Sequence, residues 1–107
     1  MNDNIPGRNT AIVAYLSIVG TVIALFMNNE DKHPFASFHI RQALGIFVFF
    51  FLLGYFVGYI DSWTATLGFW VFVFILWLYG FITALSGQAR PVPFLGEFFQ
   101  KIFKSVR

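Results

Sequence analysis

The chain has 107 residues, a formal net charge of +2 and no cysteine, and 58% of its residues are hydrophobic. Charged residues make up 11% of the chain, whereas a soluble domain carries about 25%. This composition excludes a disordered segment and a disulfide scaffold, and it argues against a soluble enzyme or a nucleic-acid binder.

The first uncharged stretch predicts a transmembrane helix over about residues 10–28. Residues 9–29 contain no charge, and these 21 positions reach about 30 Å as a helix, the thickness of the hydrocarbon core. A secretory signal is the alternative. Acidic Asp3 accompanies Arg8 in the flank, and no small-residue cleavage site follows at residues 27–30, so we expect the segment to be retained.

Two further apolar stretches predict spans over about residues 40–60 and 64–86. Only Asp61 is charged among the 48 residues between Arg41 and Arg90. Strands of a membrane barrel are shorter, and three could not close, so we predict helices. The short connection predicts an antiparallel hairpin in which Asp61 or Ser62 caps the third helix. A proton or cation site at Asp61 is the alternative, and we assign this residue to structure.

The C-terminal segment predicts an amphipathic surface helix over about residues 94–106. One half of its helical wheel is rich in phenylalanine, the other carries the basic residues, and it is too short to span. Docking on a partner protein is the alternative to a lipid surface. The candidate lipid-surface contacts are Arg90, Lys101, Lys104 and Arg107.

The predicted fold is therefore a single all-α integral membrane domain, residues 1–107, with three transmembrane helices plus a C-terminal amphipathic interfacial helix. With three crossings, six of the seven basic residues share one side, and Arg8 alone lies on the other. The positive-inside rule then predicts a multi-pass protein with its N-terminus outside and its C-terminus cytoplasmic.

The densest polar group in the sequence lies where the second span begins. His39, Arg41 and Gln42 form this candidate cluster, and His39 and Gln42 share a helix face. One interpretation is a hydrated recess in which Arg41 meets lipid phosphate or a partner's acidic group. The other is hydrogen bonding between helices that fixes the bundle.

Each span also carries a pair of small residues at four-residue spacing, which lets helix backbones approach closely in lipid. The candidate helix-packing residues are Gly20 with Ala24, Gly54 with Gly58, and Gly80 with Ala84. They are suited either to internal packing or to oligomer contacts.

The residue inventory offers no catalytic, cofactor or metal site. Cysteine is absent, and the histidines, His33 and His39, both lie at one end of span two. No carboxylate lies within a span, and no glycine-rich phosphate loop is present. We therefore expect a non-enzyme without a cofactor.

Three motifs carry a family resemblance: Ala14-Tyr15-Leu16-Ser17 with Gly20, the stretch Phe38-His39-Ile40-Arg41-Gln42-Ala43-Leu44, and Pro91-Val92-Pro93-Phe94-Leu95-Gly96. With these the chain resembles bacterial membrane proteins of unknown function related to the Tic-twenty component of the chloroplast inner-envelope import machinery. The resemblance implies an α-helical inner-membrane protein and a link to protein translocation. The plastid relatives have four spans, whereas the last helix here is too short, which argues against a self-contained channel. Because no transit peptide precedes span one, we expect a bacterial cytoplasmic membrane.

Two functional hypotheses follow. The favoured one is a non-catalytic accessory subunit that packs into a larger membrane assembly, one concerned with protein translocation or insertion. The alternative is a self-associating channel or transporter component, although no half-helix is visible in the sequence. Expected partners are the lipid bilayer and other membrane proteins or further copies of the chain, not nucleic acid. A third hypothesis is a surface sensor whose C-terminal helix detaches and rebinds.

Overall fold

The computed structural model describes residues 6–30 and 32–106, and this part of the chain is helical without strands. The helices are α1 (Arg8–Ala14), α2 (Ile18–Met27), α3 (Pro34–Val57), α4 (Trp63–Leu85) and α5 (Gly96–Ile102). Within the described ranges, α3 and α4 are the two helices long and apolar enough to cross a membrane. The all-α prediction is confirmed, and the prediction of three continuous spanning helices is wrong.

α3 and α4 form the hairpin that the short connection predicts. Pro34 opens α3, where its missing N–H costs no helical hydrogen bond. Ser62 caps α4, because its Oγ accepts a hydrogen bond from the Ala65 N–H at 3.2 Å. The rings of Phe50 and Phe69 stack with centroids 6.1 Å apart and join the two helices about two helical turns from the connection.

The predicted first span is instead broken over residues 15–17. Ser17 has an extended backbone, and its Oγ accepts from the Gly20 N–H at 3.1 Å, so it caps the start of α2. Thr21 Oγ1 donates to the Ala14 carbonyl at 2.8 Å and so satisfies a carbonyl at the end of α1. The break therefore leaves these helix ends paired, although no proline or glycine marks it.

α1 and α2 fold back on each other as a helical hairpin. At the start of α1, a Cβ added to Gly7 would lie 2.7 Å from the His33 Cβ and 2.9 Å from the Ala36 Cβ. At the end of α2, Asn28 Nδ2 donates to Ser37 Oγ at 2.9 Å. Both open ends of the hairpin therefore lie beside the start of α3.

The tip of this hairpin lies against the middle of α3 and α4. Leu16 and Ile18 share the lining of one groove with Phe47 of α3. Trp77 of α4 donates its Nε1–H to the Tyr15 carbonyl at 2.6 Å. The α1–α2 hairpin thus enters and leaves at one end of the molecule and covers only part of α3.

The last helix is shorter than the predicted 94–106. Phe94 has a positive φ of 69°, which interrupts a helical path, so α5 begins only at Gly96. Beyond α5 the chain turns toward α3, where Arg41 Nε donates to the Val106 carbonyl at 2.8 Å. α5 is therefore docked on α3.

The Thr21→Val substitution tests how the break is stabilised. It keeps the side-chain shape but removes the hydroxyl that donates to the carbonyls of Ala14, at 2.8 Å, and Ser17, at 3.2 Å. Because a buried carbonyl loses its donor, we expect the free energy of unfolding to fall by about 1–3 kcal/mol. Unfolding followed by circular dichroism in mild detergent measures this change.

The matched control is Thr64→Val, at an exposed position in the first turn of α4. It should change the free energy of unfolding by less than about 0.5 kcal/mol. Equal effects of the two substitutions would contradict the role given to Thr21.

Candidate functional site: the Tyr15 cluster

A buried group of polar side chains joins α1 to α3. His39 and Gln42 lie on one face of α3, as their spacing predicts, and Tyr15 follows the last residue of α1. The Tyr15 hydroxyl oxygen lies 2.6 Å from His39 Nδ1 and 2.9 Å from Gln42 Nε2. All three side chains are fully buried. We call Tyr15, His39 and Gln42 the Tyr15 cluster.

The same side chains hold the connection between α4 and α5. His39 Nε2 lies 2.7 Å from the Gln88 carbonyl oxygen, and Gln42 Nε2 donates to the Arg90 carbonyl at 3.3 Å. The Val92 N–H donates to Gln42 Oε1 at 2.8 Å. Two side chains of α3 therefore bind three backbone groups of the connection, which is not helical over residues 88–92.

The donor and acceptor roles within the Tyr15 cluster follow from these partners. A carbonyl oxygen only accepts, so His39 Nε2 carries a proton and donates to Gln88. In the neutral imidazole, Nδ1 then accepts the hydroxyl proton of Tyr15, and the Tyr15 oxygen accepts from the Gln42 amide. This assignment gives every polar atom of the three side chains a partner.

Aromatic rings and one glycine shape the space around the cluster. The rings of Phe35 and Phe38 approach the His39 ring edge-on, with centroids 4.7 and 5.1 Å away. A Cβ added to Gly80 would lie 2.7 Å from the Tyr15 ring, so α4 admits this ring only because position 80 lacks a side chain. The apolar walls exclude water, which strengthens the hydrogen bonds inside.

Arg41, the third predicted member of the polar group, does not join the Tyr15 cluster. Its Nε donates to the Val106 carbonyl, beyond the end of α5. α5 itself is anchored to α3 by Gln100 Nε2, which donates to the Phe38 carbonyl at 2.8 Å, and by the Phe99 ring, which packs directly on Gly45. Arg41 therefore helps to dock the C-terminal segment.

The predicted helix-packing residues have different surroundings. Gly20 packs on the Val13 carbonyl inside the α1–α2 hairpin, and Gly80 packs on the Tyr15 ring. Ala24 and Ala84 are fully buried. Gly54 faces the Phe69 ring of α4, whereas Gly58 is exposed and has only its own helix nearby.

The predicted lipid-surface residues are exposed wherever the structure describes them. Arg90, Lys101 and Lys104 are exposed, and Arg107 lies outside the described residues. Arg8 and Lys32 belong to the open ends of the α1–α2 hairpin and the turn that follows it. Arg41 lies in the first third of α3. Every basic residue in the described ranges therefore belongs to the end of the molecule where α3 begins.

Sequence reasoning gave no role to Tyr15 or to the backbone of the connection from Gln88 to Val92. A tyrosine inside an apolar run carries a hydroxyl that must find a partner when it is buried, and this signal was present. Nothing in the sequence identifies backbone carbonyls as partners of His39. These contacts favour the interpretation that the polar group fixes the bundle over that of a hydrated recess.

In the described part of the chain, no three His, Asp or Glu side chains come together to hold a metal ion. Comparisons with protein-family models, curated proteins and solved structures gave no match to this chain. The interpretation of the Tyr15 cluster therefore depends on its geometry. The cluster is a buried hydrogen-bond network that links α1, α3 and the connection that follows α4.

The Gln42→Leu substitution tests whether this hydrogen-bond network stabilises the fold. It removes the acceptor of the buried Val92 N–H and the donor to Tyr15 while keeping a similar volume. We expect the free energy of unfolding to fall by about 2–4 kcal/mol, since several buried groups lose partners. Limited proteolysis should also cut the connection at residues 86–95 faster than in the unaltered chain.

Gln88→Leu is the control, because the Gln88 residue is exposed and contributes only its carbonyl oxygen to His39. It should leave both measurements unchanged. A Gln42→Leu protein with unaltered unfolding and proteolysis would show that the Tyr15 cluster does not hold the connection.

Proposed function

We propose that the chain is a non-catalytic membrane protein that crosses the bilayer twice, through α3 and α4, and carries α1–α2 as a re-entrant hairpin. Exposure of the two long helices supports this. Only 28% of the most apolar stretch of α3, and 17% of that of α4, is buried within the chain. A core helix of a soluble protein would bury most of such a stretch, whereas a bilayer solvates it.

Charge supports one orientation for this arrangement. All basic residues in the described ranges belong to the end where α3 begins, and the opposite turn between α3 and α4 carries Asp61 as its only charge. By the positive-inside rule, the basic end is cytoplasmic. Two crossings then bring the N-terminal hairpin and α5 to the same cytoplasmic side, in place of the external N-terminus expected from three crossings.

The two ends of the α3–α4 pair also fit the two surfaces of a bilayer. Tyr55, Tyr59 and Trp63 are exposed at the outer end, where amphipathic rings favour the headgroup level. At the basic end, Phe94 is 91% exposed even though its positive φ costs about 1–2 kcal/mol for a non-glycine residue. An exposed aromatic ring at such a position is suited to insertion into the cytoplasmic interface.

Single cysteines test this topology, since the chain has none of its own. The exposed positions are Asn9→Cys in α1, Asp61→Cys in the turn and Ser105→Cys beyond α5. In intact bacterial cells, a membrane-impermeant maleimide should label Asp61→Cys. The other two should react only after the membrane is permeabilised. Labelling of Asn9→Cys from outside would contradict the re-entrant hairpin and restore three crossings.

The function that this surface supports best is that of an accessory subunit in a larger membrane assembly. One observation carries the proposal: the polar side chains of the Tyr15 cluster are all engaged internally, while exposed apolar faces of α2, α3 and α4 remain for contact. Such a protein acts by packing against other membrane proteins. The resemblance to the Tic-twenty-related proteins adds protein translocation or insertion as the process.

A self-associating channel or transporter component is the second candidate, and the break between α1 and α2 favours it. Discontinuous helices that begin within the membrane are a recurring feature of transporters. The fully buried Tyr15 cluster, however, offers no polar path. The two spanning helices and the hairpin of one copy would not enclose one, so this function requires several copies.

Mild detergent extraction followed by native mass measurement and crosslinking separates the two functions. We expect the chain to co-purify in a complex with other membrane proteins. Assemblies of this chain alone would favour the channel, and monomers throughout would contradict both. The Gln88→Leu variant leaves the apolar faces of the helices unaltered and serves as a control for the extraction. It should give the same complexes as the unaltered chain.

A further inference from the structure

An apolar groove lies between the tip of the α1–α2 hairpin and the α3–α4 pair. Its volume is about 390 Å³, and its walls include Leu16 and Ile18 of the tip, Phe51 of α3, and Trp70 and Phe74 of α4. The polar groups beside it are already engaged. Ser17 Oγ caps α2, and the Trp77 indole N–H binds the Tyr15 carbonyl. The groove therefore offers a surface for hydrocarbon.

The groove continues toward the turn between α3 and α4. A second hollow, of about 360 Å³, shares Phe51 and Trp70 with the first and extends to Tyr55 and Thr66. The lining residues of α3 and its C-cap run from 46 to 58, which is about 18 Å at 1.5 Å per residue. One leaflet of a bilayer is about 15 Å deep, half of the hydrocarbon thickness.

We infer that this groove binds one acyl chain of a phospholipid from the leaflet that faces the α3–α4 turn. The inference rests on the proposed two-span placement. Under that placement the hairpin tip stops partway across the membrane, so the rest of the α3–α4 face beyond it is uncovered. An acyl chain running from the outer surface down to the tip has the length and the apolar character that the lining matches. Tyr55 and Thr66 supply hydroxyl groups at the outer end, where the ester groups of the lipid would lie.

The size of the groove favours an acyl chain over a helix of a partner or of a second copy. A helix with its side chains is a rigid rod about 10 Å wide. Each hollow instead falls in the range of about 300–1,000 Å³ that is typical of small-molecule sites. A flexible hydrocarbon chain can pass from one hollow to the other, since they share Phe51 and Trp70.

Gly54→Leu tests the inference by filling the outer hollow. A Cβ at Gly54 would contact the Phe69 ring at an ordinary 3.4 Å, so the larger side chain enters the hollow without a backbone clash. Gly68→Leu is the matched control, since Gly68 is exposed on α4 with nothing within 4 Å of an added Cβ. Both changes replace a helical glycine with a better helix former.

The full-length proteins are extracted from bacterial membranes in mild detergent and examined by native mass spectrometry with added phosphatidylethanolamine and phosphatidylglycerol. We expect the unaltered chain and Gly68→Leu to retain one phospholipid. Gly54→Leu should retain it about tenfold less. Equal retention by Gly54→Leu and the unaltered chain would overturn the inference, and so would a lipid-free unaltered chain.

A photo-crosslinking residue at Phe51 in the otherwise unaltered chain makes the test independent of whether Gly54→Leu folds. Irradiation in cells should give a phospholipid adduct. An adduct at twice the chain mass, or one with another protein, would identify a second copy or a partner in the groove and overturn the lipid assignment. A chain absent from the membrane fraction would overturn the proposed membrane placement together with this inference, whereas a membrane-bound chain without lipid overturns this inference alone.

Discussion

The Tyr15 hydroxyl lies between two side chains of α3, and its position decides where the first helix ends. A buried hydroxyl without partners would cost about 1–3 kcal/mol, and here it contacts both His39 and Gln42. The Tyr15 carbonyl is bound by Trp77 in turn. Because side chain and carbonyl are fixed by two different helices, the chain leaves its helical path at this residue and α2 begins a short distance beyond.

The rest of the architecture depends on this point. Once α2 turns back, its end meets Ser37 near the start of α3, and the first apolar segment no longer reaches the far end of α3. The opposite side of the cluster holds the connection after α4 through Gln88 and Val92. α1, α3 and that connection are thereby tied together at one end, which is also the basic end, while the apolar side chains of the α3–α4 pair near the Asp61 turn remain exposed.

Much of this fold was predictable where local chemistry decides it. The start of α3 at Pro34 and the cap at Ser62 follow from residue type and position, and the shared face of His39 and Gln42 follows from helical spacing. Hydropathy could not distinguish a span from a hairpin over residues 9–29. A run of 21 uncharged positions has the length for one crossing or for two short helices, and residues 15–17 contain no proline or glycine to mark a break.

The missed contacts are long-range. Ser17 caps α2 locally through the Gly20 N–H, but Thr21 reaches the Ala14 carbonyl only because the chain folds back. The partners of His39 and Gln42 include backbone atoms about fifty residues away. The amphipathic wheel of the C-terminal segment likewise identified an apolar face, but not that Phe99 would pack on Gly45 while Phe94 remains exposed. Side-chain pattern alone carries no information about such pairings.

The re-entrant hairpin is the central claim, and the separation between the exposed residues Asn9 and Asn29 tests it most directly. Spin labels at Asn9→Cys and Asn29→Cys, in protein reconstituted into bilayers, report this distance without interference because the chain has no native cysteine. If α1 and α2 fold back, the labels lie near the spacing of packed helices, about 8–10 Å between axes, and give strong dipolar broadening. A continuous helix separates these positions by about 30 Å, and a distance distribution centred there would contradict the account.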